Sequence, residues 1–366
     1  MSTDSKTLTP AFAIHPGEHL LDELEARGIS QQEFAKQIGY QKTQLNEIVK
    51  GKRGINADLA LVLQAALGIG ADYWLGLQKN YELDLAKIST KNQKRLEALS
   101  LWNIIKQVVP VKFFKKQNLL SGDPVEDIPV IKDIYGVGNL EEMAAVVANE
   151  RFAHFRRSEK QVSEKRSIIG WYKLCEFRAS KINVVEFNQS VCTSLISDLN
   201  QIFYENENTL LRVKSVLNEA GIKLVIQERG ESMPIDGVSF WSGGRPAIGI
   251  TLRYKRLDWL AFTLFHELGH VFCHLVNNSD AVIIDLENTD YEYKKTKEEI
   301  QADEFARNSM IAPDLWEAFS SKERIADKHI LEFSERAKIH PSIILGRRCF
   351  ETNNYKVRTK IDRKIY

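Results

Sequence analysis

Apolar positions recur at helical spacing from the start of the chain. In HPGEHLLDELEARG, residues 15–28, Leu20, Leu21 and Leu24 gather on one face among charged residues, the pattern of an amphipathic helix. Ser30 then stands at an N-cap position with Glu33 three residues on, a capping-box spacing, so a second helix begins there. It turns Phe34, Ala35 and Ile38 inward and stops at Gly39, and a third helix over residues 42–50 turns Leu45, Ile48 and Val49 inward. Residues 85–166 read as a helical connector that holds a basic run and then the turn-rich SGDPVEDIP. Segments near residues 223–227, 237–241 and 247–251 read as strands of a small sheet. DWLAFTLFHELGHVFCHL, residues 258–275, is apolar almost all round, which predicts a deeply buried helix with Asp258 as its N-cap. KTKEEIQADEFARNSMIAP, residues 295–313, predicts a helix with Ile300, Phe305 and Ala306 inward, ended by Pro313. KHILEFSERAKIHPSIILGRR reads as helix, a break at His340 and Pro341, then helix. The fold class is mainly α with a small β-sheet.

Composition narrows the class. A chain of 366 residues that is 43% hydrophobic and 27% charged can bury cores in two or three domains. Cys175, Cys192, Cys273 and Cys349 lie far apart with no C-x-x-C pair, which argues against a disulfide framework or a thiolate zinc cluster and fits a reducing cytoplasm. The opening MSTDSKTLTPAF lacks a basic flank and apolar core, and WLAFTLF is far too short to span a bilayer, so the expectation is a cytoplasmic protein with no membrane partner.

The net charge of +1 hides clusters: residues 36–53 carry a surplus of +4, and residues 87–116 one of +7. Such clusters are the footprint of a polyanion binder, although a single charge run is more commonly a solvated face. Helix, glycine turn, helix is a unit whose second helix enters the major groove by its first residues. Those residues are Gln41, Lys42, Thr43, Gln44 and Asn46, polar side chains able to read base edges. Gln31, Lys50, Lys52 and Arg53 stand where phosphates would be met. HPGEHLLDELEARGISQQEFAKQIG, IVKGKRGINADLALVLQAALGI and DYWLGLQKNYEL resemble the HigA-type antitoxin and XRE-type helix-turn-helix family over roughly residues 14–84. The resemblance implies a homodimer on a palindromic double-stranded DNA operator.

FHELGHVFCHL contains H-E-x-x-H. His266 and His270, four apart on a helix, can point two imidazoles at one ion, while Glu267 faces the open coordination position as general base. His274 stands eight residues from His266, about 12 Å along the axis at ~1.5 Å per residue, too far to share an ion. It is read as a support behind a ligand or as structural, and Cys273 as a small core residue. A catalytic zinc takes three protein ligands, so one comes from elsewhere. Glu299 and Asp303 lie four apart on the later helix; in zincins with a glutamate ligand, E-x-x-x-D supplies the ligand and an aspartate that holds a ligating histidine from behind. Glu298 is the nearest competitor.

FTLFHELGHVFCH with EEIQADEFARNSMIAP resembles the ImmA/IrrE family of metallopeptidases, and GIKLVIQE, IDGVSFW, RPAIGITLRYKRLDW and HPSIILGRR are similar to the same family. The expected organisation is a helix-turn-helix domain over 1–84, a basic helical connector over 85–166 and a minimal zincin domain of α+β type over 167–366. The function implied is a DNA-binding, antitoxin-like regulator whose zinc peptidase domain cleaves a partner protein, a repressor or a toxin. The alternative is a non-proteolytic antitoxin and autorepressor whose zincin domain binds a toxin or senses a signal. His340 is either an added donor to the oxyanion or structural. Replacing Lys42, Thr43 and Gln44 together by alanine should abolish discrimination between DNA sequences, measured by competition binding with scrambled duplexes; unchanged selectivity would remove the reader helix from this role.

Overall fold

The structure is a computed structural model and describes residues 10–148, 159–231, 233–286, 296–321 and 325–366. It divides into two compact units, Met1–Asn103 and Ile104–Tyr366. Among the described residues, no helix is long and apolar enough to cross a membrane.

The first unit holds α1 (Pro16–Ala26), α2 (Gln31–Gln37), α3 (Lys42–Val49), α4 (Ala57–Leu67) and α5 (Ala71–Ile88); α6 (Thr90–Val108) runs across the division. The capping box forms as the sequence predicts. Ser30 Oγ accepts the Glu33 amide at 3.3 Å, and the Glu33 carboxylate accepts the Ser30 amide at 3.1 Å. Gly39, at φ +73°, turns the chain from α2 into α3 in the left-handed region that glycine enters freely. Leu20, Phe34, Leu45, Ile48, Leu63 and Trp74 close the core.

One close approach fixes how α3 sits. A Cβ at Gly17 would overlap the Ile48 carbonyl oxygen, so the start of α1 rests backbone to backbone on the end of α3. His15 caps α1 with Nδ1, which accepts the Gly17 amide at 2.9 Å.

The second unit continues with α7 (Val111–Lys116), α8 (Pro124–Tyr135), α9 (Leu140–Ala148), α10 (Glu159–Ala179), α11 (Cys192–Glu205) and α12 (Thr209–Glu219). Then follow β1 (Lys223–Ile226), β2 (Ile235–Ser242), β3 (Arg245–Ile250), α13 (Leu257–Cys273), β4 (Val282–Leu286), α14 (Lys297–Met310), α15 (Pro313–Ser320), α16 (Asp327–Ala337) and α17 (Pro341–Glu351). The sheet runs β1-β3-β2-β4, parallel at β1–β3 and antiparallel elsewhere. Alternation along the strands splits its faces. Leu224, Ile248 and Ile250 join the core around α13, whereas Gly249 and Phe240 meet Cys175 and Tyr172 of α10.

Six local expectations change. The turn-rich SGDPVEDIP is helical from Pro124 on: Asp123 caps α8 by accepting the Val125 amide at 3.0 Å, and the helix carries Pro129 inside it. The buried stripe Ile128, Ile131, Ile134 outweighs the hydrogen bond that the proline cannot make. β4 is a strand beyond the three that the sequence predicts, although VIID is a short β-branched run. Arg256, not Asp258, caps α13; Asp258 sits in the first turn and binds Arg256 and Arg363. Ile300 faces outward, while Ala302, Ala306 and Met310 face in, and Pro313 opens α15 rather than ending α14. Cys273 is exposed, because it lies where α13 leaves the core.

Gly17→Ala should destabilise the first unit by about 2 kcal/mol, since the added methyl overlaps the Ile48 carbonyl and forces α1 off α3. Thermal unfolding checks this, and an unchanged midpoint would mean that the helices do not pack this closely.

Candidate functional sites

α13 carries His266, Glu267 and His270, all buried. The two imidazoles meet edge to face with ring centroids 4.7 Å apart and their Nε2 atoms 3.0 Å apart. α14 lies close alongside because small residues face each other: a Cβ at Gly269 would fall 3.0 Å from the Ala302 Cα. That approach brings Glu299, one turn before Ala302, over the imidazoles. Its carboxylate oxygens stand 3.4 Å from His266 Nε2 and 3.5 Å from His270 Nε2. A tetrahedral zinc site with arms of about 2.0–2.2 Å has edges of roughly 3.3–3.6 Å; the two edges to Glu299 match, and the edge between the imidazoles is slightly short of that range. Among the described residues, His266, His270 and Glu299 are the group of metal-binding character whose ligand atoms converge, all within 4.8 Å. Glu298, the competitor, is exposed on another face.

The remaining ring nitrogens are held from behind. His266 Nδ1 lies 2.9 Å from Asp303 Oδ1, which leaves Nε2 for an ion. His270 Nδ1 lies 3.0 Å from His274 Nδ1, and His274 Nε2 lies 3.1 Å from Gln301 Oε1. Asp303 and His274 thus each touch one imidazole of the pair. Burial disfavours an imidazolium at His266, but Asp303 and Glu299 overcome it and raise its pKa well above the usual value. Burial, with His266 and His274, holds His270 well below it.

The Glu267 carboxylate lies against β2 of the sheet. Ser239 Oγ lies 2.6 Å from Oε2 and 3.0 Å from the Glu267 carbonyl, while Oε1 is buried with no hydrogen-bond partner. A Cβ at Gly237 would overlap Oε1, so β2 needs glycine there to admit the carboxylate. Burial pushes the Glu267 carboxyl well above the usual carboxylate range, His266 opposes, and Asp285 and Glu299 add to the rise. Asp285 stands opposite Gly237 on β4. Sequence reasoning missed Ser239, Gln301 and Asp285. An inward polar residue in the apolar strand IDGVSFW was a signal for Ser239; nothing local pointed to the others. His340 caps α17, its Nδ1 accepting the Ser342 amide at 3.2 Å.

In the first unit, Gln41, Lys42, Thr43, Lys50, Lys52 and Arg53 are exposed, and Gln31, Gln44 and Asn46 partly so. Gln44 is turned back on its own helix, where Oε1 accepts the Gln41 amide at 3.2 Å. Lys42 Nζ reaches Gln32 Oε1 at 3.4 Å, a neighbour outside the set that the sequence singles out.

Comparison with known proteins agrees with both geometries. A helix-turn-helix family model matches residues 20–74, and the peptidase M78 model, described as an IrrE N-terminal-like domain, matches residues 218–339. Virulence-associated protein I of Dichelobacter nodosus is 43% identical over 76 residues, 20% of this chain and 70% of the relative. The chain belongs to the XRE-type helix-turn-helix family and carries an IrrE-like domain of peptidase family M78. Two solved structures from Pseudomonas aeruginosa are also similar to the helix-turn-helix head. PA4674, in complex with its operator DNA, is 39% identical, with 20% of this chain and 81% of that one covered and a TM-score of 0.20. Antitoxin HigA with the higBA promoter is 36% identical, with 22% and 89% covered and a TM-score of 0.21.

In the IrrE-like domain, Gly237→Ala should cost about 1–3 kcal/mol, because the new methyl and the Glu267 carboxylate compete for one buried space. Denaturant melts that match the parent would refute this packing.

Proposed function

We propose that this chain is a transcriptional regulator, antitoxin-like, that binds a palindromic operator as a homodimer through its head and cleaves a partner protein, a repressor or a toxin, with its IrrE-like domain. Gln41, Lys42, Thr43 and Asn46 would read bases, with Gln44 serving mainly to hold the start of the reader helix. Gln31, Lys50, Lys52 and Arg53 would meet phosphates. The observation that carries the peptidase reading is the convergence of three buried ligand atoms beside a buried carboxylate oxygen that has no partner.

In this reading His266, His270 and Glu299 hold a zinc ion, and Asp303 and His274 orient the two imidazoles. Zinc in such a site supplies Lewis acidity, which polarises a peptide carbonyl. Glu267 takes a proton from the attacking water and returns it to the leaving amine. Ser239 holds one carboxylate oxygen, and the other has no hydrogen-bond partner among the described residues.

Purified protein should contain about one transition-metal ion per chain. His266→Ala and Glu299→Ala should lose it, and Glu298→Ala should keep it. Glu267→Gln should retain the metal, the fold and DNA binding yet leave the partner uncut where the parent cuts it. Cleavage by Glu267→Gln at the parent rate, assayed with the true partner under the inducing condition, would remove the general-base role; a partner bound but cut by neither protein would favour the non-proteolytic antitoxin.

A further inference from the structure

The second unit carries a cationic surface that belongs neither to the reader helix nor to the metal centre. Its base is the segment 355–366, pinned to the body at alternate positions. Thr359 Oγ1 donates to Asp327 at 3.0 Å, and the Lys360 amide donates to the same carboxylate at 2.8 Å. Ile361 and Ile365 pack on the hydrophobic core. Arg363 binds Asp258, and its carbonyl accepts the Leu257 amide at 2.7 Å. Asn206 holds the Lys364 carbonyl at 2.9 Å.

Extended backbone sends successive side chains to opposite sides. Since 359, 361, 363 and 365 face the body, Lys360 and Lys364 face solvent, and Lys356 and Arg358 before them are exposed too. A bridge between Arg256 and Lys364 sets this segment beside the loop RYKR, residues 253–256. There Lys255 is exposed at φ +47°, and the Arg253 guanidinium lies 4.6 Å from the Tyr254 ring. Tyr254 and Tyr355 are 45% and 60% exposed between the cations.

Of the acids in this region, Asp258 lies under two arginines, Arg256 and Arg363, and exposed Asp362 keeps its charge beside Lys364, one acid against five cations. Asp362 accepts the Tyr366 hydroxyl at 2.6 Å and the Lys364 amide at 3.0 Å. Lys255, Lys356, Arg358, Lys360 and Lys364 form no ion pair among the described residues. Five like charges held on one surface repel, and a polyanion relieves that repulsion while releasing its own counterions.

We propose that this surface binds the phosphate backbone of double-stranded DNA, as an anchor additional to the reader helix. A lipid surface fits less well: membrane-surface elements present a continuous apolar face, whereas Ile361 and Ile365 are turned into the core here. The choice of duplex DNA as the polyanion rests on the proposed function of the head. The two anchors are separable by experiment.

The full chain, metal content verified, would be titrated onto a duplex of about 30 base pairs lacking any operator, between about 50 and 200 mM salt. Every phosphate that a variant no longer neutralises makes the slope of log K against log salt shallower by about 0.9. The variant carrying Lys255→Gln, Lys356→Gln, Arg358→Gln, Lys360→Gln and Lys364→Gln should have a slope shallower by about 3 or more and bind at least tenfold more weakly. Arg358→Glu alone should weaken binding several-fold without changing the melting temperature. A parent-like slope and affinity in the five-site variant overturns the proposal. So does loss of binding to phosphatidylserine vesicles with DNA binding intact, which would make the surface a membrane site. Lys52→Gln with Arg53→Gln reports on the head separately: weakening there with none in the five-site variant overturns this surface and leaves the head's role standing.

Discussion

The candidate metal site depends on one close approach between two helices. Gly269 on α13 and Ala302 on α14 face each other so tightly that a Cβ on the glycine would be 3.0 Å from the alanine Cα. Glu299 sits one turn from this point, so the approach of the two backbones sets how its carboxylate meets the imidazoles. The buried stripe Glu299, Ala302, Ala306, Met310 therefore does two things at once. Its small members set the distance, and its acid uses it.

Burial of charge is the second constraint. His266, Glu267, His270 and Glu299 are each under 10% exposed, an arrangement that costs free energy unless every polar atom has a partner or a purpose. Most have partners: Asp303 on His266, His274 on His270, Ser239 on Glu267. The exception is Glu267 Oε1, which faces Gly237 in β2. Sheet and helix are thus fitted to each other at this atom, and a single added methyl on the strand would disturb it.

The head solves a different problem with ordinary means. The helix pair shares the core of the head through Phe34, Ala35, Leu45 and Ile48, and capping and backbone packing add to it: the Ser30–Glu33 box, the left-handed Gly39, and Gly17 against Ile48. These leave the outer face of α3 free of structural duty, apart from Gln44, whose side chain is spent on the helix start. Polar residues on that face can vary with the sequence to be read while the scaffold stays the same.

Much of this was legible in the chain itself. Capping spacings, glycine turns and the four-residue period of His266–His270 and Glu299–Asp303 are local, because hydrogen bonds within a turn and side chains one turn apart are fixed by helix geometry alone. The mainly α class with a small sheet followed from the same periodicities. What failed was also local evidence, outvoted by packing. Pro129 lies inside α8 because its isoleucines are buried, Ile300 faces out because alanines were needed against α13, and Cys273 is exposed where α13 leaves the core. The sequence by itself determined which residues share a helical face and which chemistry they offer. Only the tertiary structure decided how closely Glu299 meets the imidazoles, that Ser239 and Gly237 shape the Glu267 pocket, and that residues 253–256 and 355–364 form one surface. Those choices join segments tens of residues apart, and no spacing along a chain records the distance between two elements that meet only after folding.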